Sequence, residues 1–233
     1  MVEKSAESVR RMFASIAHRY DFLNRLLSLS IDRRWRRLTK ERLARRLPPS
    51  PYLLDLCAGT GDLALAISGL GKVAACDFCR PMLTRGLQKA RDAGSPVFFV
   101  EGDALRLPFA DAAFDAVSIA FGLRNIEDLQ AGLAETLRVL KPSGTLAVLE
   151  FSLPTFPVFR QLYRFYFTRV LPRMGAWLSG AEGPYSYLPR SVQEFPEPPR
   201  LAREMTRIGY AEVCRTSLTG GVATLYLAGK RRG

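Results

Sequence analysis

Residues 54–62 read Leu54-Asp55-Leu56-Cys57-Ala58-Gly59-Thr60-Gly61-Asp62, an apolar run that breaks into a glycine turn flanked by acids. Residues 51–56 read as a buried strand, and the pattern after the turn predicts a helix over 62–70. The same alternation repeats outward. Strands are expected at 72–76, 96–100, 113–119 and 145–149. Helices are expected at 81–91, opened by Pro81, and at 128–140, stopped by Lys141-Pro142-Ser143-Gly144. A helix over 201–209 and strands at 211–217 and 222–228 finish the chain. This order predicts an α/β fold with a doubly wound, mostly parallel seven-stranded sheet. One domain is expected over 1–233: a helical leader (1–50), the core (51–151), an insertion rich in aromatics, Arg and Pro (152–199), and a closing helix with strands (200–233).

With 233 residues, 48% hydrophobic and 24% charged, the chain can bury one sizeable core. No stretch of 18 residues lacks a charge, which argues against a transmembrane helix. Met1-Val2-Glu3-Lys4-Ser5 lacks the basic-then-apolar order of a signal peptide. Cys57, Cys76, Cys79 and Cys214 have neither disulfide-framework nor zinc spacing, so no metal is expected and a cytoplasmic location is. The net charge of +12 is uneven. Lys and Arg outnumber Asp and Glu 13 to 5 over 1–50 and 12 to 5 over 151–233, but are outnumbered 9 to 12 between. Basic flanks around an acidic middle suit nucleic acid, an anionic membrane surface, or solubility alone.

Ligands of an open parallel sheet bind beyond the carboxyl ends of its strands. Here those ends carry polar signals in succession: the 55–62 turn, Asp77, Gly102-Asp103-Ala104, Phe121-Gly122-Leu123-Arg124-Asn125, and Glu150. Gly59-x-Gly61-x-x-Ala64 fits a dinucleotide fingerprint, but Asp62 at the helix start and Asp55 before it would repel a pyrophosphate. A ligand with cationic groups and no phosphate is the better expectation. S-adenosyl-L-methionine has an ammonium, a sulfonium and a ribose diol. Asp77 is placed for the diol, Phe78 and Ala104 for flanking the adenine, and Asp103 for its exocyclic amine. The bland alternative is a glycine turn that merely closes a βα unit.

The 54–62 turn resembles the first motif of class I S-adenosylmethionine-dependent methyltransferases. Further segments narrow the resemblance to the ubiquinone/menaquinone biosynthesis C-methyltransferases, over about residues 8–230. These are Phe13-x-Ser15-Ile16-Ala17-x-x-Tyr20-Asp21-x-x-Asn24, Leu107-Pro108-Phe109, Phe121-Gly122-Leu123-Arg124-Asn125, Leu149-Glu150-Phe151-Ser152 and Tyr185-x-Tyr187-Leu188-x-x-Ser191. The resemblance implies methyl transfer to a ring carbon of a polyprenylated quinol. It places Gly59, Thr60, Gly61 and Ala120 with Asp55, Asp77, Phe78, Asp103 and Ala104 around the cofactor, and Tyr20 on the quinol side. Cys57-Ala58 departs from the usual Ala-Gly or Gly-Gly pair, and Ala120 stands where many relatives have Ser. Demethylmenaquinol is favoured over a benzoquinol by the short chain and compact leader, and a homodimer stays open.

A ring carbon becomes nucleophilic when a neighbouring hydroxyl, near pKa 10, loses its proton. The protein must then align the reactants and stabilise the phenolate. Arg124 and Asn125 are expected to do so, Arg124 electrostatically because a guanidinium stays charged. The alternative is a surface arginine beside a capping asparagine. His18 reads as a surface or packed histidine and Cys57 as a packing residue.

Residues 156–178 hold seven aromatics, Arg160, Arg164, Arg169 and Arg173, and no acid. They suit a peripheral element on the anionic inner face of the membrane, or a buried cap with snorkelling arginines. Arg33-Arg34-Trp35-Arg36-Arg37 suits a headgroup layer or a solvated helix face. Competing classes are an RNA-directed methyltransferase, an NAD-dependent oxidoreductase and a non-catalytic lipid binder. The strand-4 end lacks the Asn/Asp-Pro-Pro-aromatic motif of base methylation, so nucleic acid is not expected as partner.

Overall fold

Alternate residues of a strand face opposite sides of its sheet, and here both sides are apolar along the central strands. A computed structural model of the chain describes residues 5–18, 20–21, 28, 30–170 and 183–231, without the side chains of 167, 170 and 183–186. Helices α1 (Ala6–Ile16) and α2 (Ile31–Ala44) precede the sheet. Strands β1 (Tyr52–Leu56), β2 (Lys72–Asp77), β3 (Phe98–Glu101), β4 (Phe114–Ala120) and β5 (Leu140–Phe151) pair in parallel. They alternate with α3 (Asp62–Ile67), α4 (Arg80–Asp92) and α5 (Leu129–Val139). After β5 come α6 (Pro157–Phe165), α7 (Gly183–Glu194) and α8 (Pro198–Ile208). Strands β6 (Tyr210–Leu218) and β7 (Ala223–Lys230) close the sheet, β7 lying antiparallel between β5 and β6. The sheet is seven-stranded and mostly parallel, as expected, and its order is β3-β2-β1-β4-β5-β7-β6.

One face packs Leu54, Leu56, Val117, Ile119 and Val148 against Leu133 of α5 and Leu201 and Met205 of α8. The other packs Leu53, Val73, Ala75 and Ala147 against Leu43 of α2, Ile67 of α3 and Ala90 of α4. The chain winds out from β1 to β3 and returns through β4 to β5. A crevice therefore opens between β1 and β4 at their carboxyl ends.

Three expectations need correction. Strand β5 begins at Leu140 rather than 145, because buried Leu140 pairs with Phe114 before the register jumps to Ala116–Thr145. The turn residues are absorbed as a bulge with Ser143 in the left-handed region. Second, the Arg33–Arg37 segment is not one uniform face. Trp35 is buried against Phe121 and Phe151, and its indole N–H donates to Thr219 Oγ1 at 3.0 Å, while Arg33, Arg34 and Arg37 are exposed. Third, α6 is neither buried nor wholly free. Tyr163 and Tyr166 just beyond it pack with Leu188 and Val192 of α7, whereas Val158, Leu162 and Phe165 stay exposed. Arg173 and Trp177 lie outside the described residues. Among the described residues no helix is long and apolar enough to cross a membrane.

Candidate active site

Strands β1 and β4 are each followed at once by a residue in the left-handed region, Cys57 (φ 54°) and Phe121 (φ 59°). Such conformations are disfavoured for side chains larger than hydrogen and persist only where packing holds them. The two ends also touch: a Cβ on Gly122 would sit 2.3 Å from Cys57 Cβ, so only glycine permits this approach. Gly61 (φ 78°) turns the chain into α3, its N–H donating to Ala58 O at 2.8 Å.

These turns open a cavity of about 750 Å³, counting its mouth, within the range of about 300–1,000 Å³ usual for small-molecule sites. Cys57 and Gly59 from β1, Asp77 and Phe78 from β2, Gly102 to Leu105 after β3, and Ala120 to Gly122 with Asn125 after β4 line it, and the leader closes one wall with Ala6, Phe13 and Tyr20. Asp77, Phe78, Asp103, Ala104, Ala120, Gly59, Asn125 and Tyr20 are thus brought together from six separate stretches of the chain.

Asp77 is buried, its two carboxylate oxygens accepting from Gly59 N at 2.8 Å and Cys79 N at 2.9 Å. Burial raises its pKa to about 6, partly offset by those bonds. Its remaining lone pairs suit a diol, and the apolar Phe78, Met82 and Leu105 suit a flat base, so the cavity fits S-adenosylmethionine. Asp103 is exposed, one oxygen accepting from Leu105 N. Asp55 lies deeper, accepting from Ser118 Oγ at 2.7 Å, with its pKa raised to about 7 by burial.

Thr60 and Asp62 line a second, smaller pocket that shares Tyr20, Cys57, Gly59 and Ala120 with the cavity. The Thr60 hydroxyl is buried and donates to Asp21 of the leader at 2.5 Å. Lys89 of α4 donates to Asp21 at 2.8 Å and Asp62 at 2.5 Å, and Arg36 of α2 stands 3.8 Å from Asp62. With Lys89 and Arg36 flanking it, Asp62 repels a phosphate less than an isolated carboxylate would. His18 is exposed.

Arg124 does not line the cavity. It is buried at 6% exposure, its guanidinium paired at 2.8 Å with Glu150, which is 1% exposed, and bonded to Phe121 O and, at 3.3 Å, to Ser191 Oγ. The fifth strand end thus lies under the site rather than in it. Asn125 does reach the cavity, and Tyr187 of α7 donates its O–H to Asn125 Oδ1 at 3.0 Å. Sequence reasoning missed Lys89, Arg36, Ser118 and Tyr187 as site neighbours. Two left a signal: Tyr187 in the Tyr185-x-Tyr187 segment of the resemblance, and Arg36, lying four residues after Asp32 beside the buried stripe Asp32, Trp35, Thr39 and Leu43.

The model of the ubiE/COQ5 methyltransferase family matches residues 1–230. A demethylmenaquinone methyltransferase of Deinococcus radiodurans is 47% identical over 233 residues, covering 98% of this chain and 95% of that protein. One of Thermus thermophilus is 48% identical, covering 93% and 98%. A ubiquinone/menaquinone biosynthesis C-methyltransferase of Citrifermentans bemidjiense is 43% identical, covering 98% and 99%. Solved S-adenosylmethionine-dependent methyltransferases share the fold: one of Thermotoga maritima at TM-score 0.65 and 18% identity (95% and 99% covered), one of Aquifex aeolicus at 0.60 and 19% (82% and 88%). A doubly wound sheet shared with solved methyltransferases, a buried carboxylate at the end of β2, and relatives of near-equal length agree, and the chain belongs to the ubiE/COQ5 methyltransferase family.

Proposed function

We propose that the protein transfers a methyl group from S-adenosylmethionine to a ring carbon of demethylmenaquinol. The observation that carries this is one cavity with a cofactor wall, Asp77 and Phe78, and a separate polar wall at Asn125. The two relatives at 47% and 48% identity that bear the demethylmenaquinone name favour the naphthoquinol over a benzoquinol.

Bound S-adenosylmethionine supplies a methyl on a sulfonium, already electrophilic. Asp77 and the glycine turn hold it, with Asp55, Thr60 and Gly61 shaping the floor, Phe78 and Ala104 bracketing its base and Asp103 meeting the exocyclic amine. Asn125 presents its amide to the ring oxygen that loses its proton, and Tyr187 fixes which end of that amide faces inward. Arg124 works one layer behind, its pair with Glu150 holding the 121–125 turn that carries Asn125. Tyr20 and Phe13 close the quinol side and keep water from it.

The polyprenyl tail is met at an anionic membrane surface, on the cytoplasmic side, by α6. Val158, Leu162 and Phe165 form an exposed stripe at i, i+4, i+7, beside Arg160 and Arg164.

The deciding assay incubates the protein with isotope-labelled methyl donor and, in separate detergent reactions, a prenylated demethylnaphthoquinol, a prenylated benzoquinol precursor and RNA. Label in the naphthoquinol, located on the ring by mass spectrometry, is the expected result. Faster labelling of benzoquinol overturns the acceptor assignment, and label only in RNA overturns the quinol reading.

A further inference from the structure

Methylating a ring carbon frees one proton per turnover, so the cavity needs a group that takes it from the acceptor. Among the described residues five titratable side chains line the cavity: Tyr20, Cys57, Asp77, Asp103 and Glu127. Four are unsuited to the task. A tyrosine is a phenol, protonated at neutral pH as the acceptor is. The Cys57 thiolate is opposed by burial and by the Asp77 charge nearby. Asp77 accepts from Gly59 N and Cys79 N on the cofactor wall. Asp103 follows β3 on the same wall, one oxygen accepting from Leu105 N. Arg124, buried in its pair with Glu150, does not reach the cavity.

Glu127 differs from each of these. It stands two residues after Asn125, with extended Ile126 between them, and all three line the cavity. The next acid, Asp128, is engaged as the cap of α5, accepting from Gln130 N at 2.9 Å and Ala131 N at 3.0 Å. No described residue hydrogen-bonds or pairs with the Glu127 carboxylate, which is exposed and so has a route for its proton to water. A carboxylate deprotonates a much weaker acid when the oxyanion left behind is held by a preorganised donor. Asn125, oriented by Tyr187, is that donor on the same wall.

We infer that Glu127 is the proton acceptor of the reaction, a catalytic residue on the quinol wall beside Asn125. The inference rests on the quinol reading above. The ring O–H bond breaks and its proton goes to the Glu127 carboxylate, while the electron pair moves into the ring. The neighbouring carbon bonds the methyl as the methyl–sulfur bond breaks and sulfur leaves as a neutral thioether. Glu127 then passes its proton to water. Transfer of the ring hydrogen from the methylated carbon to the oxygen restores the quinol, and one proton is released in all.

The test uses the full chain with a prenylated demethylnaphthoquinol in detergent. Glu127→Gln should lower the maximal rate on the order of 100-fold, with S-adenosylmethionine affinity by calorimetry within about twofold of wild type. A ring-fluorinated quinol, whose hydroxyl ionises more readily, should shrink that loss about tenfold. Glu127→Ala should regain rate as sodium formate is added, a small carboxylate filling the space left, whereas Glu127→Gln should not. A rate within about threefold of wild type in Glu127→Gln overturns the inference. So do equal losses on both quinols with no formate rescue, or a loss of donor affinity that matches the loss of rate. Wild-type protein that labels no quinol removes the reading on which the inference rests; wild-type activity that survives Glu127→Gln removes Glu127 alone.

Discussion

Asp77 shows how one burial event acts in two directions. Its carboxyl sits near pKa 6 and that of Asp55 near 7, both raised by desolvation above the value of about 3.9 in an unfolded chain. The folded protein therefore holds these protons more tightly, and their contribution to stability declines as pH rises from about 4 to about 7. Cofactor affinity should run the other way, because a diol donates to a carboxylate and not to a protonated acid. Calorimetry on wild-type protein should show S-adenosylmethionine binding strengthen from pH 5 to 7.5. Asp77→Asn should bind about 10- to 100-fold more weakly at pH 7.5 and show a flatter profile. An unchanged affinity removes Asp77 from the diol. At the other wall, Asn125→Ala should lower the methyl-transfer rate on the order of 100-fold, as loss of one preorganised donor does elsewhere, with donor affinity within about twofold of wild type. Equal losses in both would put Asn125 on the cofactor side.

Elements position these residues by charge pairs between segments far apart in sequence. Lys89 of α4 ties the leader, through Asp21, to the first turn of α3, through Asp62. Lys89→Met should cost about 1–2 kcal/mol, since the three groups are only partly buried and each acid loses a partner. Hydrogen exchange should show faster opening in 6–21 than in β1 or β4, and uniform acceleration would mean that the leader is not separately held. Beneath the site the Glu150–Arg124 pair is nearly dry. Glu150→Gln should cost about 3–5 kcal/mol by leaving a buried guanidinium uncompensated, whereas replacing both by Leu should cost much less; urea melts of the three proteins check this. Strand and helix positions were legible in the sequence because apolar runs of five to seven residues and glycine or proline stops report local structure. The strand-end residues that line the cavity were legible for the same reason, as each lies at or just beyond the end of a strand. The inter-segment pairs were not. Arg36 sits in a run of arginines that looks solvated, and Lys89 stands on a helix whose exposed face is also basic. Arg124 was read as facing the acceptor because nothing local reveals that Glu150, 26 residues on, claims its charge.

At the scale of the whole molecule, charge is segregated along the chain: flanks rich in Arg surround a core in which acids outnumber bases. The fold keeps part of this separation, since Asp55, Asp77 and Glu150 are buried while Arg164 and Arg169 stay at the surface near α6. On α6 and its continuation the inward Tyr163 and Tyr166 pack on α7, leaving Val158, Leu162 and Phe165 outward with 68%, 65% and 60% exposure. Leaving three large apolar side chains in water forgoes the burial free energy of about 1.5–3 kcal/mol each, which a lipid surface would supply. Arginines near an anionic surface add about 1 kcal/mol apiece, screened beyond a Debye length of about 8–10 Å. Apolar burial survives salt and the charge term does not, so the two can be separated. Flotation with vesicles containing anionic lipid should show binding at low salt that weakens as salt rises. Arg160, Arg164, Arg169 and Arg173 changed together to Gln should abolish the salt dependence, and Leu162→Ser with Phe165→Ser should remove the salt-resistant remainder. Neither change should alter methyl transfer to a tail-free quinol analogue, because among the described residues none of those changed lines the cavity. Absence of flotation at low salt, with full activity of the quadruple variant on a tailed quinol in vesicles, would leave α6 a cap over α7 and place substrate capture elsewhere.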